Sequence, residues 1–310
     1  MSSTLPEQID NFFEYLEVEK NASKLTIRDY RHYLESFVVW YTKNSPGKSI
    51  SDLDLSTVRK YRVFLSRREN DKGQTLKKVT QNYYVIALRS FLRFLIKNDI
   101  PTLEPSKIDL PKTESRSLKF LEREQVDRLV TMPDTSCEEG LRDRTILEVL
   151  FSTGLRVSEL CNLNHPQINL ERREFGVIGK GQKQRIVFLS ERACEWIERY
   201  LAARKDVFKP LFIRYSGAVI EDDHGERMRL TARSIERIVK KNVKQARLPV
   251  DATVHTLRHS FATDLLTNGA DIRSVQEMLG HKNIATTQIY THITNKQLRD
   301  VHKSFHSGNK

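Results

Sequence analysis

Residues 253–292 read TVHTLRHSFATDLLTNGADIRSVQEMLGHKNIATTQIYTH and bring His255, Arg258, His281 and Tyr290 into one short stretch. A guanidinium group grips phosphate oxygens in a bidentate way. A phenol can act as a covalent nucleophile once its proton is removed, and imidazoles can move protons near neutral pH. The stretch lacks the spacing typical of metal-ligating histidines. Its side chains therefore predict chemistry on a phosphodiester without a metal ion.

The same stretch predicts three short helices. Residues typical of helix caps separate them, namely Gly269, Asp271 and Gly280. His255 and Arg258 are three positions apart at the start of the first helix, so both project from one face, and a helix N-terminus favours a bound phosphate. His259 is expected elsewhere on the helical wheel, in a structural role. Each histidine or tyrosine alone could be an ordinary core residue, and only their combination favours a functional site.

The composition predicts a soluble, two-domain protein. The chain has 310 residues, of which 38% are hydrophobic and 30% charged. The longest apolar run is about five residues, too short for a transmembrane helix. The first ten residues, MSSTLPEQID, have no secretory signal pattern. Three widely spaced cysteines without a CxxC pair favour a reducing compartment. We therefore expect a cytoplasmic protein that makes no use of a membrane.

A net charge of +12 points to a polyanionic partner. Residues 1–112 hold 19 Lys+Arg against 14 Asp+Glu, a net charge of +5, and the remaining residues hold 33 against 26, a net charge of +7. The excess on both halves is what a protein that wraps DNA with two domains would show. A merely basic, solvated surface is the alternative interpretation of the charge alone.

The first half of the chain predicts a bundle of four helices with short polar connections. The first begins near Pro6, the second spans about 23–43, the third begins at Ser56 as an N-cap, and the fourth is the clearest. Apolar residues of the fourth follow the helical repeat: Tyr84, Leu88, Phe91, Leu92 and Leu95.

Residues 100–117, IPTLEPSKIDLPKTESRS, contain three prolines and no periodic pattern, which indicates a domain linker. We place the first domain at 1–108, the linker at 109–117 and the second domain at 118–310. Such a linker would allow two domains to sit on opposite sides of a duplex, although an ordinary interdomain connection would read the same.

The second half predicts a mixed structure, so the fold class is mostly α with a small β-sheet (α+β). Helices are expected at about 122–132, 141–152, 190–204 and 231–247. Residues 174–189, EFGVIGKGQKQRIVFL, place two β-branched and aromatic runs around a Gly-Lys-Gly turn, as in a β-hairpin. Residues 217–229 are predicted to form an exposed loop or a small hairpin.

Two further cations are candidates for phosphate chemistry. Arg156 stands in the apolar segment TGLRVSEL and needs an anionic partner. Either Glu159 or a bound phosphate could supply it. Lys180 at the hairpin tip could protonate a leaving oxygen, with Lys183 as a neighbouring candidate, although most hairpin-tip lysines are simply solvated. Together the residues predict a reaction in which two arginines neutralise a phosphate, a phenol attacks it and a lysine supplies a proton.

These segments resemble the sequence boxes of the tyrosine recombinase (phage-integrase) family, and most closely its Xer-type chromosome-dimer recombinases. TGLRVSEL is similar to the family's first-arginine box, VIGKGQKQR to its hairpin-lysine motif, HTLRHSFATDLL to its H-x-x-R box and LGHKNIATTQIYTH to its box with the second histidine and the nucleophile. The N-terminal bundle resembles the core-binding (SAM-like) domain. The resemblance implies six catalytic residues: Arg156, Lys180, His255, Arg258, His281 and the nucleophile Tyr290.

The resemblance also implies the reaction and its partners. Tyr290 would form a 3′-phosphotyrosyl link to a specific double-stranded DNA site, and strands would exchange through a Holliday junction in a tetramer, without a cofactor. Residues 295–305 carry Leu298, Val301 and Phe305 at helical spacing. In the family such a helix docks on the neighbouring protomer, although it could also fold back on its own domain. A partner recombinase or a DNA translocase is possible.

Three other functions share part of this pattern. An integrase of a mobile element would carry the same motifs. A type IB topoisomerase uses similar chemistry but relaxes supercoils, and the separate helical domain argues against it. A DNA-binding regulator without catalysis is disfavoured because all six candidate residues are present. The start of the bundle within the first ten residues favours the chromosome-dimer role over a phage integrase with an added arm-binding domain.

Overall fold

The protein forms two compact units, Met1–Arg116 and Ser117–Lys310, in a computed structural model. The structure describes residues 4–69, 73–111, 119–179, 184–218 and 223–280. In these residues there are eleven α-helices and one two-stranded sheet, which confirms the predicted mostly α fold with a small sheet. None of the described helices has both the length and the apolar character needed to cross a membrane.

The first unit contains four helices: α1 (Leu5–Val18), α2 (Lys24–Asn44), α3 (Leu55–Arg67) and α4 (Lys78–Lys97). Side-chain caps start the first three, since Thr4 and Glu7 form a capping box for α1 and Ser23 caps α2. The predicted start of α3 at Ser56 is wrong. Asp54 is the cap instead, because its carboxylate accepts a hydrogen bond of 2.7 Å from the Thr57 amide.

Large aromatic side chains fill the core of the first unit, where edge-on and tilted ring contacts predominate. The fully buried rings include Phe12, Phe37, Tyr41, Tyr61 and Phe91. Leu103 and Ile108 are buried in the same core. The predicted linker character of the whole segment 100–117 is therefore wrong for 100–108, because its prolines are interspersed with apolar residues that pack on the bundle. Residues 112–118 lie outside the described chain.

The second unit is built around one buried helix. Its helices are α5 (Arg123–Val130), α6 (Glu138–Thr153), α7 (Val157–Cys161), α8 (Glu191–Ala203), α9 (Ala232–Gln245), α10 (Val254–Thr267) and α11 (Ile272–Leu279). Helix α6 packs against α5, α8, α9, α10 and the sheet. Because these elements cover most of the helix, its buried charged residues are paired: Arg142 with Asp143 at 2.7 Å and Arg144 with Glu148 at 2.8 Å.

The predicted hairpin is confirmed as an antiparallel pair of strands, β1 (Glu174–Ile178) and β2 (Gln184–Phe188). Its tip, 180–183, lies outside the described residues. The expected exposed loop at 217–229 is partly wrong. Met228 is buried, and Arg229 donates hydrogen bonds to the carbonyls of Cys161 and Leu163, so the end of this segment packs on the unit.

A left-handed glycine joins α6 to α7 and should not tolerate a side chain. Gly154 has φ +59°, and a Cβ built there would lie 2.5 Å from Cδ1 of Phe261. We expect Gly154→Ala to lower the free energy of unfolding by about 2 kcal/mol, because both the backbone conformation and the packing oppose a methyl group. Urea denaturation measures this change.

Gly176→Ala is the matched control, since Gly176 lies in β1 and a Cβ there would meet no atom within 4 Å. Its free energy of unfolding should stay within about 0.5 kcal/mol of the parent. Equal losses in the two variants would contradict the packing argument.

Candidate active site

The turn after α6 presents Arg156 at the start of α7. Gly154 ends α6 in the left-handed region, and Arg156 occupies the N-cap position in an extended conformation. The Arg156 amide donates to the Glu159 carboxylate at 2.9 Å, and its Nη1 donates to Glu159 Oε1 at 2.8 Å. About a third of the arginine side chain, 34%, remains exposed. Glu159 is therefore a structural partner, but it does not bury the guanidinium group.

A second arginine shares the same carboxylate. Arg185 of β2 donates Nη1 to Glu159 Oε1 at 2.9 Å and Nη2 to Oε2 at 2.8 Å. Burial of the Glu159 carboxyl opposes its ionisation, but the hydrogen bonds from Arg185 and Arg156 outweigh burial and lower its pKa to about 2. The carboxylate is thus ionised at neutral pH, and it links α7 to the sheet.

Arg258 is held by backbone carbonyls of two other elements. It lies in the first turns of α10 and is only 3% exposed. Its Nη1 donates to Gly154 O at 2.5 Å and its Nη2 to Leu279 O at 2.6 Å. These contacts fix the guanidinium group between the turn after α6 and the end of α11.

The two histidines of α10 contact each other, so the expectation that His259 lies elsewhere on the wheel is wrong. Positions four apart share a helix face, and the rings of His255 and His259 meet edge to face with centroids 4.5 Å apart. Burial, followed by the neighbouring His255 and Arg258, lowers the pKa of His259 to about 4. Burial, followed by Arg258 and Arg156, also lowers the pKa of His255. Both rings are therefore neutral at pH 7.

An open cleft of about 550 Å³ brings the predicted residues together. Its polar lining consists of Arg156, Lys240, Thr253, His255 and Arg258, with the carboxylates Glu236 and Asp251 also present. The N-terminus of α10 opens into it, and unpaired amides at a helix N-terminus favour an anion. In the described part of the chain, no group of three His, Cys, Asp or Glu side chains could hold a metal ion. The cleft is suited to a phosphate group.

The remaining candidates, Lys180, Lys183, His281 and Tyr290, lie outside the described residues. Sequence reasoning missed Lys240, which lines the cleft, and Arg185, which binds Glu159 beside it. Arg185 stands at an inward-facing position of β2, on the same side as the buried Val187. A charged residue in the apolar phase of a strand is a signal that could have identified it.

The low pKa of His259 predicts an acid-sensitive fold. The unfolded chain binds this proton near pH 6.5 and the folded chain only near pH 4, so the contribution of neutral His259 to stability is complete above pH 6.5 and is lost as the pH falls toward 4. We expect the free energy of unfolding to fall by about 1 kcal/mol more between pH 7 and pH 5 in the parent than in His259→Asn. Urea denaturation at both pH values measures it, and equal falls would contradict the assignment.

Comparison with known proteins gives the family. The model for the phage integrase family matches residues 119–297, and the model for the phage integrase N-terminal SAM-like domain matches residues 9–99. Tyrosine recombinase XerD of Listeria innocua is 38% identical over 300 residues, covering 96% of this chain and 98% of that protein. Tyrosine recombinase XerC of Pelotomaculum thermopropionicum is 37% identical over 305 residues, covering 96% and 97%.

Solved structures agree in fold. The crystal structure of XerA recombinase is 29% identical, covers 97% of this chain and 98% of its own, and has a TM-score of 0.51. The post-cleavage complex of XerH with a palindromic difH substrate is 23% identical, with a TM-score of 0.71 over 96% of this chain and 84% of its own. The chain therefore belongs to the phage integrase family and is a tyrosine recombinase, an enzyme that cuts and rejoins DNA at specific sites.

Proposed function

We propose that this enzyme resolves chromosome dimers at a dif-like site in the cytoplasm, and that Tyr290 is the nucleophile. The observation that carries the catalytic part is the shared cleft, in which Arg156, His255 and Arg258 surround a space large enough for a phosphodiester. The chromosomal role is supported by the XerD and XerC relatives, which match this chain over 96% of its length.

The two cleft arginines would neutralise the nonbridging oxygens of one phosphate. Arg258 is oriented by two backbone carbonyls, and Arg156 is oriented by Glu159. Fixed guanidinium groups need no reorganisation as charge develops on phosphorus, so they stabilise the transition state more than water does. Removing one such contact typically costs about 10²–10³ in rate.

The other roles follow from proton balance. Tyr290 loses its phenolic proton and forms a bond to phosphorus, while the bond from phosphorus to the 5′-oxygen breaks. We assign the phenolic proton to the neutral imidazole of His255 and the proton for the leaving 5′-oxygen to Lys180. His281 would donate a hydrogen bond to the same phosphate. The ester retains the bond energy, so a 5′-hydroxyl of the partner duplex can reverse the step without a cofactor.

The partner is a double-stranded recombination site. XerH is known in complex with a difH substrate, and the Tn1549 integrase in complex with transposon end DNA. We propose a tetramer on two sites, in which the segment 295–305 of each protomer docks on its neighbour in a closed, head-to-tail ring. A second recombinase or a DNA translocase could join this assembly.

The Tn1549 structures keep a mobile-element role as the second candidate, because a transposon integrase has the same fold at a TM-score of 0.71. Covalent capture separates the two roles. Sheared genomic DNA of the source organism is incubated with the enzyme, and the mixture is then denatured. The DNA fragments that stay covalently attached to the enzyme are recovered through the protein. We expect fragments from a single chromosomal locus with wild type and none with Tyr290→Phe, which lacks the nucleophilic oxygen but retains the ring.

Three outcomes would contradict parts of the proposal. Covalent fragments with Tyr290→Phe would overturn the nucleophile assignment. Fragments from the ends of mobile elements would replace the chromosomal role with an integrase role. Capture without any sequence preference would indicate topoisomerase-like cleavage instead of site-specific recombination. Binding of the captured duplex by Tyr290→Phe in a gel-shift assay controls for folding.

A further inference from the structure

We propose that Arg185 is a positioning residue of this active site. By binding both oxygens of Glu159, it keeps that carboxylate from holding Arg156 away from the phosphate. The inference rests on the proposed catalytic role of Arg156. Arg185 does not line the cleft itself. It would act through Glu159 and through the end of α11.

The hydrogen bonds of Glu159 show how its two oxygens are shared between Arg156 and Arg185. Oε1 accepts Nη1 of Arg156 at 2.8 Å and Nη1 of Arg185 at 2.9 Å. Oε2 accepts the backbone amide of Arg156 at 2.9 Å and Nη2 of Arg185 at 2.8 Å. Arg185 therefore holds Glu159 with both arms of its guanidinium group, whereas the side chain of Arg156 reaches one oxygen only.

This division sets how strongly Arg156 is neutralised. A carboxylate and a guanidinium group match each other in a two-point pair, and such a pair competes with a two-point contact to phosphate. Glu159 is ionised at neutral pH because its pKa is about 2. Without Arg185, both of its oxygens would turn to Arg156. With Arg185 in place, Arg156 keeps 34% of its side chain exposed, against 11% for Arg185.

Arg185 also contacts the end of α11. Its Nε donates to Met278 O at 3.1 Å, while Arg258 donates to Leu279 O at 2.6 Å and Arg156 to Gly280 O at 3.4 Å. Three arginines thus bind three successive carbonyls at the negative end of one helix. Gly280 is left-handed, and a Cβ there would lie 3.2 Å from Cδ of Arg185. Strand β2 is therefore linked to both cleft arginines.

Stability alone gives a weak reason for an arginine at this place. Arg185 is paired with Val177 across the hairpin and faces inward, where an apolar residue of similar volume would avoid the desolvation cost. Replacing both members of a buried ion pair with apolar residues is often neutral for stability, whereas removing one member alone is destabilising because the other charge stays buried. Arg185 shares the Glu159 carboxylate with the cleft residue Arg156, and it contacts the same end of α11 as Arg156 and Arg258. These contacts fit a positioning role.

The test measures single-turnover cleavage of the captured duplex, nicked so that the 5′-hydroxyl strand diffuses away. Arg185→Met removes the two-point contact with Glu159. Arg185→Lys is a second variant, which retains the charge, in case Arg185→Met does not fold. We expect cleavage to slow by about 10- to 100-fold at saturating enzyme with either variant, and the duplex Kd to change by less than about threefold.

Arg142→Lys and Arg142→Met are the matched controls. Arg142 is similarly buried, and its guanidinium group also binds one carboxylate, Asp143, and one carbonyl, Ile213 O, but it does not line the cleft. These controls should lose thermal stability without slowing cleavage. Glu159→Gln completes the cycle. In Arg185→Met/Glu159→Gln no carboxylate remains to clamp Arg156, so the double variant should cleave no more slowly than the slower single variant.

The outcomes are distinct. If wild type forms no covalent adduct on any duplex, the proposed function fails, and this inference fails with it. If wild type cleaves, the inference alone is overturned by any of three results. These are a loss below about threefold in both Arg185 variants, an equal loss in the Arg142 controls, and losses that multiply in the double variant.

Discussion

Three arginines bind the C-terminal end of α11, and two of them share the Glu159 carboxylate. These contacts organise the catalytic unit. Arg185, Arg258 and Arg156 bind the successive carbonyls of Met278, Leu279 and Gly280, and Arg156 and Arg185 share Glu159. These residues come from α7, the sheet and α10, which are far apart in sequence. The left-handed turn at Gly154 adds a fourth element, because its carbonyl also binds Arg258.

The electrostatic balance of this arrangement matches the proposed reaction. Three guanidinium groups and the ionised Glu159 carboxylate leave this cluster of four side chains with two positive units, and Lys240, Glu236 and Asp251 also line the cleft. A phosphodiester carries one negative charge, and a pentacoordinate transition state carries two. Backbone carbonyls orient Arg258 without neutralising it, and Arg156 shares Glu159 with Arg185, so positive charge remains available to the substrate. The neutral rings of His255 and His259 add no further charge at pH 7, because burial and the arginines lower their pKa.

Much of this structure can be predicted from the periodicity and local motifs of the sequence. The structure confirms the apolar stripe of α4, the two strands and the cap at Asp271. The sequence predicts these features because each depends on neighbouring residues alone. Arg156, His255 and Arg258 were predicted as parts of one site, and they line one cleft. The errors have tertiary causes. Leu103 and Ile108 pack on a bundle that the linker pattern cannot reveal, and Arg185 depends on a carboxylate 26 positions away. The catalytic roles of all six residues remain predictions, and Lys180, His281 and Tyr290 lie outside the described residues.

The central claim is that Arg156 and Arg258 act by neutralising one phosphate. Cleavage of the captured duplex with a neutral methylphosphonate at the scissile position tests it most directly. We expect Arg258→Ala to slow cleavage of the ordinary phosphate by about 10²–10³-fold relative to wild type. On the methylphosphonate the loss should shrink to below about tenfold, because the charge that the arginine would neutralise is already absent. The same large loss on both duplexes would show that Arg258 acts through the fold alone, and would contradict the account.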